Sequence, residues 1–133
     1  MRRSIENSLS FGIYQGNRQV GCARTVTNRA TFAYLADVFM LEPYRGRGLS
    51  RWLMECIVNH PDLQGLRRWM LATRDAHKLY AQYGFIPLQK PDRWMERHNP
   101  DVYAWSPLKK LNVDWWLIAF DHNTSQKLHY APA

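Results

Sequence analysis

Asp37-Val38-Phe39-Met40-Leu41-Glu42-Pro43-Tyr44-Arg45-Gly46-Arg47-Gly48-Leu49-Ser50 is the stretch on which the fold turns. Its first part closes residues 32–41, an almost continuously apolar run of the kind a strand buried on both faces requires, with Asp37 as its one acid. The period changes after the glycines. Leu49, Trp52, Leu53, Cys56 and Ile57 recur at i, i+3, i+4, i+7 and i+8, which is one face of an amphipathic helix. A buried strand therefore runs through a basic, glycine-containing turn into a helix. Backbone N–H groups at a helix N-terminus lack intrahelical partners and carry partial positive charge, so they favour anions. Gly46 and Gly48 let the backbone come close to a phosphate, and Arg45 and Arg47 add charge of the right sign. Taken alone, the stretch is either a site for a phosphate-bearing ligand or a tight turn with solvated arginines. No Gly-Lys-Ser/Thr follows, which disfavours a P-loop, and the Gly-x-Gly-x-x-Gly spacing of dinucleotide-binding folds is absent.

Upstream, residues 9–15 alternate and contain Phe11, Ile13 and Tyr14, as a strand would. Gly16-Asn17 suits a tight hairpin turn, because both residues tolerate positive φ. Residues 19–27 resume as a strand with Val20, Cys22 and Val26, and Asn28-Arg29 marks a second turn. Residues 4–8 read as a helix end or a polar lead-in. Downstream, Asn59-His60-Pro61 ends the helix, since the residue before proline is pushed out of the α region. Residues 69–72 form a short buried strand, and Ala76, Leu79, Tyr80 and Tyr83 share a second helical face that Gly84 stops. Residues 85–88 and 93–97 are further strand candidates, separated by Pro91-Asp92. Two hairpins leading into a strand–helix–strand crossover predict an α/β (α+β) single domain with a mixed central sheet and flanking helices.

Bulk properties bound the function. The 133 residues suffice for one domain with a real core, and 46% hydrophobic with 22% charged residues is ordinary globular composition. A formal charge of +7 favours an anionic partner, whether nucleic acid, an acidic membrane surface or a polyphosphate ligand, or else serves solubility alone. Cys22 and Cys56 make no disulfide framework, and the five histidines show no metal-ligand spacing, so no metal is expected. No apolar run approaches the ~20 residues that span a membrane, and no signal peptide is visible at the start. The expectation is a cytoplasmic protein with reduced thiols and no membrane partner.

With Arg45, Gly48 and Ser50 in place, the loop resembles the R/Q-x-x-G-x-G/A pattern of the GCN5-related N-acetyltransferases, with Ser50 where Gly or Ala is usual. Ala76-His77-Lys78-Leu79-Tyr80-Ala81-Gln82-Tyr83-Gly84-Phe85 is similar to that family's A-x-x-L-Y-x-x-x-G-F, in the right order and at a suitable spacing. The resemblance covers roughly residues 5 to 103. It implies a mostly antiparallel sheet, an acetyl-CoA-binding domain over residues 1–103 that lacks the family's usual first strand and helix, and a C-terminal extension over residues 104–133. It further implies cofactor contacts from the backbones of Val38 and Met40, which would pair with pantetheine like an extra strand, and a pyrophosphate cradle of Arg45, Gly46, Arg47, Gly48, Leu49 and Ser50. Thr73 stands where the family often has a pantetheine-binding Asn.

The implied reaction is acetyl transfer from acetyl-CoA to a primary amine by direct attack in a ternary complex. Tyr80 falls on the family's general acid, and core packing is its alternative role, with Tyr83 one turn on as the decoy. Asp37 is a candidate base whose pKa burial would raise, or else the partner of Arg24 in a structural ion pair. Deprotonation relayed by water needs neither. A covalent cysteine mechanism is disfavoured, with Cys56 on the buried helix face and Cys22 lacking a neighbouring His or Asp. Two competing classes are a CoA-binding or degenerate family member with a regulatory role, and a basic nucleic-acid-binding domain. The latter ranks last for want of a recognisable motif. In the extension, Trp115, Trp116, Leu117, Ile118 and Phe120 read as one strand, which would either cap the open edge of residues 9–15 or cross to a second chain, making a homodimer.

Overall fold

The computed structural model describes residues 2–102, 126–129 and 131. A short helix α1 (Arg2–Glu6) precedes a hairpin of β1 (Leu9–Gln15) and β2 (Arg18–Thr27), and β3 (Phe32–Met40) follows. Helix α2 (Leu49–Val58), strand β4 (Arg68–Leu71), helix α3 (His77–Ala81) and strand β5 (Gln126–His129) complete the regular elements. The five-stranded sheet has the order β4-β3-β2-β1-β5. β1, β2 and β3 pair antiparallel, while β4 joins β3 and β5 joins β1 in parallel. The chain is thus the mixed sheet with flanking helices that its pattern predicts.

Local chemistry explains the connections. Gly16 takes φ +57° between β1 and β2. Between β2 and β3, Asn28 Oδ1 accepts from the N–H groups of Ala30, Thr31 and Phe32, which lets Arg29 sit at φ +57°. The β3–β4 crossover runs through α2, whose buried residues are Leu49, Leu53, Met54 and Ile57. They pack on Leu9, Phe11 and Ile13 of β1 and on Val20 and Ala23 of β2 in one apolar cluster. Side chains of this kind each contribute about 1.5–3 kcal/mol when fully buried. The helix is rotated slightly from the phase expected. Met54 is fully enclosed, whereas Trp52 and Cys56 are only partly covered.

Three expectations are corrected. Residues 85–88 form no strand, because Pro87 has no N–H to give a ladder, and residues 93–97 form none either. Pro91–Arg93 instead makes one turn of 3-10 helix. Helix α3 is shorter than its apolar face implied, giving way to a turn at residues 82–84. The apolar run at residues 115–120 lies outside the described residues. A different part of the extension, β5, covers the β1 edge, in register from Phe11–Gln126 to Tyr14–His129. Lys127 Nζ lies 5.7 Å from the centroid of the Tyr14 ring. No helix among the described residues is long and apolar enough to cross a membrane.

Candidate active site

The centre of the candidate site is a change of spacing within β3. Cys22 faces Phe39 and Arg24 faces Ala36, so the single residue Ala23 opposes both Asp37 and Val38. This is a β-bulge, and Asp37 absorbs it at φ +54°. The bulge is held from both sides. Arg24 Nε donates to Asp37 Oδ2 at 2.6 Å, while Cys22 Sγ donates to the Asp37 carbonyl at 3.6 Å. Arg24 Nη1 also donates to the hydroxyls of Ser4 and Ser8, tying α1 to the same point.

Beyond the bulge the sheet opens. The β3–β4 pairing runs only from Phe32–Arg68 to Leu35–Leu71, so among the described residues the β4-side edge of residues 36–40 carries no strand. Leu41 N–H donates to Val20 O on the β2 side. Strand alternation therefore turns the amides of Met40 and Val38 toward the open edge. Met40 O accepts from Arg45 Nε there at 3.0 Å. The side chain of Met40 is buried and Val38 packs against the core, as expected of residues that offer only backbone.

The loop follows directly. Tyr44 is buried, and its hydroxyl donates to Gln15 Oε1 at 2.6 Å. Arg47 lies over the Tyr44 ring with Cζ 5.4 Å from its centroid. Both loop arginines are thus oriented by the protein rather than freely solvated, and Tyr44 is the orienting residue that sequence patterning missed. Gly46 and Gly48 stand at φ +72° and +76°, and a Cβ at either would meet nothing within 4 Å. Their glycines are demanded by backbone conformation, and the space above them is open to a ligand. Gly48 caps α2 without a side-chain hydrogen bond, and its carbonyl receives the N–H of Trp52. The amides of Leu49, Ser50 and Arg51 precede the first intrahelical bond and face outward along the helix axis.

Tyr80 belongs to the same apolar cluster as Met40 and Leu49 and is 7% exposed. Its ring meets Phe85 edge-on at 6.0 Å. Burial, reinforced by the negative charge of Asp75, pushes its phenol pKa up, so the O–H stays protonated through neutral and mildly alkaline pH. Tyr83, in contrast, donates its hydroxyl to Arg51 O at 2.9 Å and fastens the turn after α3 to α2. Thr73 Oγ1 accepts from Ala76 N–H at 3.0 Å, so this hydroxyl organises the entry to α3. Asp37 departs from expectation. It is exposed rather than buried, because the bulge turns it out of the sheet. Among the described residues only its Oδ2 is engaged.

Cys22 lies beside the bulge and is buried. Burial first, and the Asp37 charge second, push its thiol up to about 12 from an ordinary 9.0. Below pH 9 both folded and unfolded thiols are protonated. Above it the unfolded thiol ionises while the folded one does not, so this group makes stability fall as pH rises toward 12. The parent should therefore lose roughly 1 kcal/mol per pH unit more than Cys22→Ala between pH 9 and 11 in urea titrations. Equal slopes for the two proteins would contradict this assignment.

The described residues thus make a mixed α/β sheet in which β3 continues past the end of β4 and leads, through a glycine loop, into the N-terminus of α2. Comparison with known proteins makes this specific. A family model described as an acetyltransferase (GNAT) domain matches residues 6–87. The chain belongs to the GNAT acetyltransferase family. It is 54% identical to a GNAT-family protein of Xanthomonas campestris pv. campestris, provisionally assigned as an acetyltransferase. That crystal structure superposes with a TM-score of 0.74 over 77% of this chain and 72% of its own. A Gibberella zeae protein, provisionally named an acetyltransferase, is 43% identical over 100 residues, 59% of this chain and 55% of its own. The chain thus spans about half the length of that curated relative. The fold is shared with a Clostridium acetobutylicum protein crystallised with acetyl-CoA and provisionally assigned as an acetyltransferase. It is 18% identical, with a TM-score of 0.51 over 64% of this chain and 60% of its own.

Proposed function

We propose that this chain transfers an acetyl group from acetyl-CoA to a primary amine, by direct attack of the amine within a ternary complex. The observation that carries the proposal is the continuous path from the open edge at Val38 and Met40 to the glycine loop at the N-terminus of α2. Residues 1–103 would form the acetyl-CoA-binding domain, with residues 104–133 an extension that contributes β5. The Met40 and Val38 amides would pair with pantetheine, and Thr73, two residues past β4, would also contact it. Arg45, Gly46, Arg47, Gly48, Leu49 and Ser50 would hold the pyrophosphate on backbone N–H groups and two positive charges. Bound acetyl-CoA supplies the activated carbonyl carbon. As the N–C bond forms and the C–S bond breaks, Tyr80 donates its proton to the departing sulfur. The ammonium proton leaves toward Asp37, whose exposed carboxylate keeps Oδ1 available while Arg24 holds Oδ2. A cytoplasmic location fits the free thiols of Cys22 and Cys56. Homodimer formation now rests on the apolar run at residues 115–120, since β5 of the same chain occupies the β1 edge.

A thermal melt separates this function from nucleic-acid binding. Acetyl-CoA at 100 times its Kd should stabilise the protein by about 2.7 kcal/mol, whereas oligonucleotides should leave the melting temperature unchanged at physiological salt. Stabilisation by oligonucleotide and not by acetyl-CoA would reverse the assignment.

A further inference from the structure

The glycine loop is fastened to the sheet at a point that the proposed reaction leaves unused. Tyr44 is the buried residue of the 3-10 turn Glu42–Tyr44, and its ring belongs to the same apolar cluster as Leu49 and Leu53. Backbone bonds close the turn, from Tyr44 N–H to Leu41 O at 2.9 Å and from Arg45 N–H to Glu42 O at 3.1 Å. A buried phenol needs a partner for its O–H. Tyr44 finds one outside the loop, in Gln15 Oε1 at 2.6 Å, 29 positions away. Gln15 ends β1 and faces Arg18 across the first hairpin. Further along β2, Gly21 faces Met40 of β3, so the hairpin tip and the loop lie at the same end of the sheet.

The two loop arginines are held in different ways. Arg45 Nε donates to Met40 O at 3.0 Å, which ties that side chain to β3. Arg47 stands between Gly46 and Gly48, which offer no side chain to lean on, and among the described residues it enters no salt bridge. The Tyr44 ring is what places it, with Cζ 5.4 Å from the ring centroid. A guanidinium over an aromatic face keeps N–H groups free for phosphate oxygens. An arginine already placed also loses less rotamer freedom when it meets an anion. The ring can give this support only while its own position is fixed, and the bond from its hydroxyl to Gln15 fixes the far end.

From this chain of contacts, and resting on the coenzyme reading above, we infer that Gln15 and Tyr44 are positioning residues for the coenzyme's pyrophosphate, acting through Arg47. Gln15 holds the phenol, the phenol ring holds Arg47, and Arg47 meets the phosphate. The alternative is a bond that only holds the fold together. The two roles differ in whether the effect depends on Arg47.

The test is calorimetry with acetyl-CoA on the full chain carrying Tyr44→Phe, Gln15→Met or both, each with Arg47 intact and with Arg47→Gln. With Arg47 intact, each single change should weaken binding roughly three- to tenfold, the worth of one such hydrogen bond. The double change should cost no more than either alone, because both remove the same bond. Once Arg47→Gln is present, the same changes should cost less than about twofold. A bond that only holds the fold would lower the melting temperature in every variant and give affinity losses independent of Arg47. Should one single variant fail to fold, the other completes the cycle with Arg47→Gln. The inference is overturned if the variants with Arg47 intact bind within about twofold of wild type, or if their loss is undiminished after Arg47→Gln. Wild-type protein separates this result from the coenzyme reading. Absence of acetyl-CoA binding there would overturn both, whereas wild-type binding with unaffected variants would overturn the positioning role alone.

Discussion

Replacing Tyr80 with phenylalanine should lower turnover by ~10²–10⁴-fold, the usual worth of a positioned general acid, and leave acetyl-CoA affinity unchanged. The ring would keep its place in the core and its edge contact with Phe85, so only the proton donor is lost. Burial and Asp75 hold the phenol above its ordinary range, so the wild-type donor remains protonated at neutral pH. Tyr83→Phe is the internal control, because that hydroxyl is committed to Arg51 O. A Tyr80→Phe enzyme within about twofold of wild type, with the chemical step rate-limiting, would return Tyr80 to packing alone.

The second large effect is expected at the loop. Gly48→Glu should weaken acetyl-CoA binding by ~10²–10³-fold, since a carboxylate facing a pyrophosphate costs several kcal/mol. Strain contributes separately. A Cβ at φ +76° costs roughly 1–2 kcal/mol whatever the side chain, even though the space around it is open. Gly48→Ala isolates that part and should weaken binding far less than Gly48→Glu. Calorimetry on the folded variants distinguishes the two contributions. Unchanged affinity in Gly48→Glu would remove the loop from the coenzyme site.

Most of the framework was legible because period and punctuation agreed. The apolar run into β3, the glycine turn and the helical spacing of Leu49, Leu53 and Ile57 all reported the same crossover. The phase of α2 was less legible, since Met54 and Cys56 are both apolar enough for the core and only the neighbouring strands decide between them. The bulge at Asp37 and Val38 leaves no periodic trace. Its one sign was an acid within an apolar strand, which burial would have explained equally well. The role of Tyr44 depends on Gln15, 29 positions away, and so could not be read locally. Strand β5 is polar and unremarkable in isolation. It is a strand because β1 has an edge to cover, a property of the sheet rather than of the segment. The family resemblance is what singles out the loop, Tyr80 and the backbone of Val38 and Met40 as site candidates, whereas the exposure of Asp37 emerged only from the folded geometry.

Acyl transfer itself is tested most directly by incubating the full chain with acetyl-CoA and a panel of primary amines while free thiol is detected. The account predicts thiol release that depends on the amine, matched mole for mole by acetylated product, and abolished in Tyr80→Phe to the extent given above. Saturable acetyl-CoA binding with no amine-dependent thiol release across polyamines, aminoglycosides, amino acids and peptide amines would contradict it, and would make the chain a coenzyme-binding module without turnover.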